Sequence, residues 1–397
     1  MSIVPAVTSP TATPSSQARL AWLDALRGIG ATAVVAEHLL PWVVPWLRPY
    51  WFNVGVYGIL VFFLVSGYII PASLERHGDV RAFWISRAFR LYPLYLVVIG
   101  VVLAMTWRIP LREAVPRDPA TVAAHATMLL DVVGVGGVAD TMWTLSYEMV
   151  FYLLVTALFV TGTHRRSGVP AVLFGVAAVA TALLIPAATL TGSLIAWISA
   201  GVLAAGLACV VSGRFRRVGA CALGVMSLAL LFLGSRVPWL GVVIVAVMFA
   251  GTAIHRWERG TGPFWPVALT LALVAVAPLT AVQGGWWWIE PDVWLTTVAL
   301  ALATFAGAMA LRHRRVPRFL TWLGLISYSL YLLHHPLLKF LVSLTGDLRW
   351  SPRHVQLLMA ALFLAVILAA AWVTYRLVEK PMQHLGHRLS RPDPTRP

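Results

Sequence analysis

The 397-residue chain has only two cysteines, Cys209 and Cys221. Both fall in apolar surroundings, with neither a paired framework nor metal-site spacing, so a disulfide scaffold and a thiolate metal centre are excluded. Charge is scarce as well: 11% of residues are Asp, Glu, Lys or Arg, where a soluble globular protein carries about 25%. Acids are outnumbered, 15 against 30 basic residues, and the net charge is +15. In a soluble chain that excess would point to nucleic acid. Here the arginines sit in short loops between apolar runs, so no nucleic-acid partner is expected and the basic residues report topology and anionic lipid. Residues 1–18 lack the basic start and apolar core of a signal peptide. Rich in Ser, Thr, Pro and Ala, they read as a disordered cytoplasmic tail, and residues 382–397 as a basic, loose cytoplasmic tail. No inverted repeat of the transporter kind is visible.

What the chain has in abundance is apolar sequence: 59% of residues are hydrophobic and the mean hydropathy is +0.81. Runs long enough to cross a bilayer, about 17–25 residues, lie near 24–46, 54–73, 89–107, 143–162, 168–188, 191–212, 218–235, 238–254, 264–283, 293–311, 321–343 and 356–378. The expected fold is an all-α polytopic transmembrane bundle over residues 19–381. Ten to twelve spans fit and twelve is favoured; 168–212 and 218–254 divide least sharply. With the N-terminus cytoplasmic, most of the 30 Lys and Arg fall on the cytoplasmic side, the positive-inside orientation. An even span count then places both termini in the cytoplasm of a multi-pass plasma-membrane protein. The longest extramembrane stretch, 108–142, is outer, contains Pro110, Pro116 and Pro119, and reads as a lid or a re-entrant piece. Trp286, Trp287 and Trp288 read either as an interfacial aromatic belt or as a sugar-stacking platform.

Ionisable residues inside apolar runs are costly and usually face a bundle interior or a watery cavity. Arg27 and His38, in LDALRGIGATAVVAEH, are eleven residues apart. Eleven steps of about 100° return to within roughly 20°, so both project from one helix face, about 16 Å apart along the axis. With Arg27 at one membrane surface, His38 reaches the middle of the bilayer. Arg87 and Arg90, three apart in FWISRAFRLYPLY, share a face at the cytoplasmic start of the third run. They read as positive-inside anchors or, beside Arg27, as a bidentate phosphate site. WTLSYEMVFY places Trp143, Ser146 and Glu148 at the outer start of the fourth run. Glu148 is either a structural ion-pair partner or a group orienting the catalytic residue or acceptor. In ISYSLYLLHHP, Ser327, Tyr331 and His334 fall at i, i+4 and i+7, one polar stripe, with His334 at a depth like that of His38. Gly55, Gly58 and Gly67 suit close helix packing or the wall of a ligand channel. Glu379, in RLVEKP, reads as a structural partner for an inner arginine.

In this order, LDALRG with its Arg-ten-residues-His spacing, VFFLVSGYII, the Arg-two-residues-Arg pair before LYPLY, WTLSYEMVFYLL, ISYSLYLLHHP and the final EKP resemble the acyltransferase 3 family of integral membrane O-acyltransferases, over residues 22–381. The resemblance implies transfer of an acyl group, usually acetyl, from acyl-CoA to a hydroxyl, commonly of a surface glycan. It makes Arg27 and His38 the essential pair and Arg87 and Arg90 a further required one. Donor acetyl-CoA is then a substrate, with no permanently bound cofactor and no metal. The partners expected are acyl-CoA, the bilayer and a hydroxyl-bearing acceptor: an exopolysaccharide or cell-envelope glycan, or alternatively a macrolide-type metabolite. The reaction belongs to acyltransferases moving groups other than amino-acyl groups. Arg87 and Arg90 would hold the phosphates at the inner face, and His38 would act as general base or as acyl-accepting nucleophile. The acceptor would enter from the outer side past Glu148, Trp143 and Ser146, along a channel also lined by Ser327, Tyr331 and His334. A rival from another class is a transporter or flippase for a sugar or lipid-linked sugar. Oligomeric state is left open.

Overall fold

The computed structural model describes residues 21–110, 113, 115–166, 168–281 and 286–390; the expected tail 1–18 lies outside them. Among the described residues the regular structure is all helical, with no strand. In chain order the helices are α1 (Ala21–Val43), α2 (Val54–His77), α3 (Val80–Ala104), α4 (Pro119–Thr127), α5 (Trp143–Val160), α6 (Gly168–Leu184), α7 (Ser193–Ser212), α8 (Arg216–Ala229), α9 (Pro238–Glu258), α10 (Trp265–Val276), α11 (Pro291–Ala310), α12 (Arg318–Leu325), α13 (Ser327–Thr345), α14 (Arg353–Thr374) and α15 (Lys380–Leu389).

Each of the twelve apolar runs forms a helix, with α12 and α13 sharing one run. Among the described residues eight helices are long and apolar enough to cross a membrane, nine when the α12–α13 pair, bent by 67°, counts as one span. The other three runs are α6 and α10, which are shorter, and α1. That helix is 23 residues long but carries Asp24, Arg27, Glu37 and His38. By length and composition the candidate crossings among the described residues are therefore eight or nine, while the apolar runs are twelve.

α1 is the central post, packed on α2, α12 and α13. Glycine makes the α1–α2 crossing close. A Cβ on Gly30 would lie 2.8 Å from the Gly58 carbonyl oxygen, and one on Gly58 2.5 Å from that of Gly30. The α12–α13 bend is seated the same way, because a Cβ on Gly324 would meet the Asp24 carbonyl oxygen at 2.1 Å. The bend turns α13 so that it runs along α1. Gly67 serves packing, lying against α9, where an added Cβ would be 1.8 Å from the Met248 carbonyl oxygen. Overpacking costs about 1–3 kcal/mol or more when backbone must shift. Gly67→Val is accordingly expected to lower the melting temperature of purified protein by roughly several degrees, measured by scanning fluorimetry in detergent.

The loose C-terminal tail expected from 382 is corrected. α14 passes through a π turn, Tyr375–Glu379, directly into α15, which continues to Leu389. Gly386 lets α15 lie on α3, since a Cβ there would be 2.6 Å from the Cβ of Phe89. The Ser390 hydroxyl donates to the Ala82 carbonyl at 3.3 Å. Residues 391–397 lie outside the described residues.

Residues 115–142 of the stretch expected to be outer fold as a packed segment. Asp118 caps α4 by accepting from the Thr121 N–H at 2.8 Å. Met128, Leu129, Leu130, Val132 and Val133 are fully buried. His125 donates from Nδ1 to the Thr121 carbonyl at 2.8 Å and accepts at Nε2 from the Val138 N–H at 3.2 Å, the neutral tautomer. Burial holds that ring below the usual histidine range. Asp131 accepts from the Tyr147 hydroxyl at 2.7 Å, and burial pushes its carboxyl up to about 6. Of the three adjacent tryptophans, Trp288 packs against Trp239 and Trp294, while Trp287 carries the Arg48 guanidinium 4.9 Å above its ring.

Candidate active site

On α1, Arg27 lies six residues after the first residue and His38 five before the last. The pair therefore straddles the helix centre. The helix begins a turn and a half before Arg27. Between them on the same face come Gly30, Ala31 and Val34, which line a narrow cavity closed by Phe62 of α2, Thr144 and Glu148 of α5, and Tyr328 and Tyr331 of α13. Its volume, about 20 Å³, holds a water molecule and no more.

At the far end, three imidazoles meet. His334 Nε2 lies 3.2 Å from His38 Nδ1. The His335 ring lies edge-on to His38 at 5.0 Å between centroids, and its Nε2 is 3.7 Å from Asp140 Oδ2. Two backbone carbonyls decide the tautomers. His334 Nδ1 faces the Leu330 carbonyl at 3.1 Å and His38 Nδ1 the Val34 carbonyl at 2.9 Å. A carbonyl only accepts, so both Nδ1 atoms carry hydrogen. In neutral His334, Nε2 is then an acceptor, and His38 Nδ1–H is shared between it and Val34. The basic nitrogen of His38 is Nε2. His334 is fully buried and His38 is partly accessible. One of the two can meet a substrate; the other can only hold its neighbour.

At the near end the charges cluster. Arg27 Nη1 is 4.0 Å from Asp24 Oδ1, and its guanidinium lies 5.8 Å from the Phe62 ring centre. Arg90, Glu148 and Glu379 are within electrostatic reach of it. Arg87 lies over Phe83 and Tyr152 at 5.6 and 5.9 Å, with its Nε buried and unpartnered. The Tyr152 hydroxyl donates to Glu148 Oε1 at 2.5 Å. The contacts thus run from Arg87 through Tyr152 to Glu148, which acts on Arg27 through its field. Glu379, in the π turn, accepts from the Ser329 N–H at 3.1 Å and from the Ser329 hydroxyl.

Several residues fall elsewhere than the sequence places them. Glu148 lies at the Arg27 end of the cavity, off the outer approach, because it is about 7.5 Å further along α5 than Trp143. The α5 residue that shares its face is Thr144, one turn earlier, whose hydroxyl is 2.7 Å from that of Tyr331. Ser146 is turned about 200° from Glu148, and its hydroxyl instead accepts from the Asp131 N–H at 3.0 Å. Trp143 packs edge-on to Tyr147. Ser327 closes the helix bend by donating to the Gly324 carbonyl at 2.8 Å. Trp143, Ser146 and Ser327 line neither cavity beside the histidines. Tyr331 lines the first. The second, about 30 Å³, is bounded by Met105, Pro110, Ala139, His335 and Lys339 and so touches the histidine cluster at His335. His335, Thr144 and Asp140 are the site residues that sequence reasoning passed over. The doubled histidine of LLHHP was the signal for His335.

Residues 20–376 match the family described as an acyltransferase domain. Among individual proteins, the chain is 23% identical over 389 residues to O-acetyltransferase OatA of Staphylococcus aureus (strain NCTC 8325 / PS 47), a match covering 92% of this chain and 57% of that protein. It is 27% identical over 159 residues to YrhL of Bacillus subtilis (strain 168), provisionally named a peptidoglycan O-acetyltransferase, covering 36% of this chain and 24% of that one. The chain thus spans 57% of the length of that OatA protein. No solved structure matches.

Proposed function

The chain belongs to the acyltransferase 3 family, and on that premise we propose that it is a membrane O-acetyltransferase that moves an acetyl group from acetyl-CoA to a hydroxyl of a cell-envelope glycan. The observation that carries this reading is the α1 face. It bears a cationic cluster at one end, a partly accessible histidine with a fixed tautomer at the other, and a cavity between. The names of the similar proteins, O-acetyltransferases and one of them assigned to peptidoglycan, favour a glycan acceptor over a macrolide-type metabolite.

CoA is polyanionic, and its pantetheine arm is slim and neutral. Arg87, Arg90 and Arg27 would hold the phosphates through charge-assisted hydrogen bonds. The arm would then follow the Gly30–Val34 face for the roughly 16 Å that separates Arg27 from His38. Admitting it requires the Phe62 and Tyr331 rings, stacked at 6.5 Å, to part. The acceptor would enter through the second cavity, past His335 and Lys339. His38 Nε2 takes the proton as the acceptor oxygen attacks the thioester carbonyl. The carbon–sulfur bond breaks, and the imidazolium returns the proton to the departing thiolate. The positive ring is steadied by its Nδ1–H bonds to Val34 and His334.

A direct test incubates purified protein with radiolabelled acetyl-CoA and glycan acceptors. Label should appear on the acceptor; a transporter or flippase leaves the thioester intact, and that outcome would reject the proposal. His334 acts here as a positioning residue. A hydrogen bond to a charged partner is worth about 1.5–3 kcal/mol, so His334→Ala should lower kcat by about 10- to 150-fold. KM for either substrate should stay unchanged. His334→Gln, which can still accept from His38, should recover part of the loss. Equal damage in both variants, or a change in KM alone, would remove that role.

A further inference from the structure

A further cavity shares no lining residue with the two beside the histidine cluster. About 420 Å³ in volume, it is held between the α5–α6 turn, the C-terminal end of α9 and the start of α10. Arg165, Arg166 and Arg256 line it, with no acidic residue among the lining. Arg256 is braced by Glu75 and by the His164 carbonyl at 3.0 Å, and its Nε is buried without a partner. Arg165 and Arg166 are exposed and have no ion-pair partner among the described residues. The remaining wall is apolar: Val169 and Leu173 on one turn-spaced row of α6, and Trp265 at the head of α10. These three are 54%, 62% and 61% exposed on the outside of the bundle.

We propose that this cavity binds an anionic phospholipid, with the phosphate between Arg165, Arg166 and Arg256 and an acyl chain along Val169, Leu173 and Trp265. Two exposed guanidiniums without an ion-pair partner among the described residues, beside a third that Glu75 fixes in place, call for an anion, and planar guanidinium forks match phosphate oxygens. An exposed apolar wall directly beside them calls for hydrocarbon. A basic pocket between helices at one end of a membrane bundle meets both demands with one molecule, the headgroup at the polar boundary and the tail in the bilayer. A soluble phosphate compound satisfies only the first. The site shares no residue with the proposed acyl-transfer path and stands without it.

The test uses full-length protein in detergent, titrated separately with phosphatidylglycerol, phosphatidylcholine, glycerol 3-phosphate and coenzyme A while thermal stability is followed. Phosphatidylglycerol alone should raise the melting temperature of the wild type. Its half-saturating concentration should rise at least tenfold in Arg165→Ala/Arg166→Ala and return toward the wild-type value in Arg165→Lys/Arg166→Lys, which shows that the loss is one of charge and not of folding. Trp265→Ala should weaken the effect with the arginines intact. The site is overturned by equal stabilisation from phosphatidylcholine or by an undiminished phosphatidylglycerol effect in the double alanine variant. Stabilisation by coenzyme A or glycerol 3-phosphate that the alanine pair abolishes would make it a soluble-phosphate site and reject the lipid.

Discussion

His38→Ala is expected to reduce acyl transfer by about 10²- to 10⁴-fold, the range for losing one general base, and to leave a folded, membrane-inserted protein that still binds acyl-CoA. The fold survives because His38 is partly accessible and its bonds are to the Val34 carbonyl one turn back and to His334. The helix itself is held by the glycine crossings at Gly30 and Gly58. Donor binding survives because Arg27 lies roughly 16 Å away along α1 and Arg87 and Arg90 are on another helix, α3. The measurements are initial rates with labelled acetyl-CoA, donor affinity by equilibrium binding, and elution by size exclusion. Transfer at the wild-type rate would end the base assignment. Loss of donor binding together with activity would instead mean that His38 shapes the cavity. His38→Gln sharpens the result: glutamine can keep the contacts to Val34 and His334 but cannot take a proton, so it should be as inactive as alanine.

Much of this arrangement was legible in the sequence where one helix carries the whole relation. Arg27 and His38 share a face because eleven residues nearly close three turns, and that holds for any straight α1. Apolar runs likewise became helices because nothing else satisfies the backbone in hydrocarbon. Relations between helices were less legible. Thr144 rather than Ser146 faces the cavity, which depends on how α5 is rotated against α13; the apolar sequence of α5 has no polar face to settle it. His335 meets His38 although it is turned about 100° from His334 on α13, because the two rings flank the His38 ring from neighbouring directions. α15 went unread because polar and basic residues interrupt its ten positions and leave no apolar run to announce it. It is ordered by α3, through Gly386 on Phe89. Burial of Glu148 and Glu379 near Arg27 has the same character. Three helices contribute one charge cluster, and only the folded chain brings them to one place.

Arg87→Ala combined with Arg90→Ala is expected to raise KM for acetyl-CoA by about 100-fold or more, because each charge-assisted hydrogen bond to phosphate is worth about 1.5–3 kcal/mol. The change in kcat should be far smaller, since neither arginine is near His38. Acetyl-pantetheine, which carries the thioester but no phosphate, separates electrostatic capture from general damage. Wild type should prefer acetyl-CoA to acetyl-pantetheine strongly, and the double variant should use the two about equally well, with its rate on acetyl-pantetheine unchanged. The two arginines should also contribute unequally. Arg87 is committed to the Phe83 and Tyr152 rings and has a buried Nε, so part of its loss will appear as lower stability. Arg90 shares the field of Arg27 and Glu379, and its removal should act almost wholly on the donor. Arg87→Lys keeps the charge but loses the planar stack; it should retain most of the preference for CoA at some cost in melting temperature. A double variant that still favours acetyl-CoA by the wild-type ratio would show that the phosphates are held elsewhere. The cationic end of α1 would then belong to folding, with Arg27, Arg90, Glu148 and Glu379 balancing one another in the bundle interior.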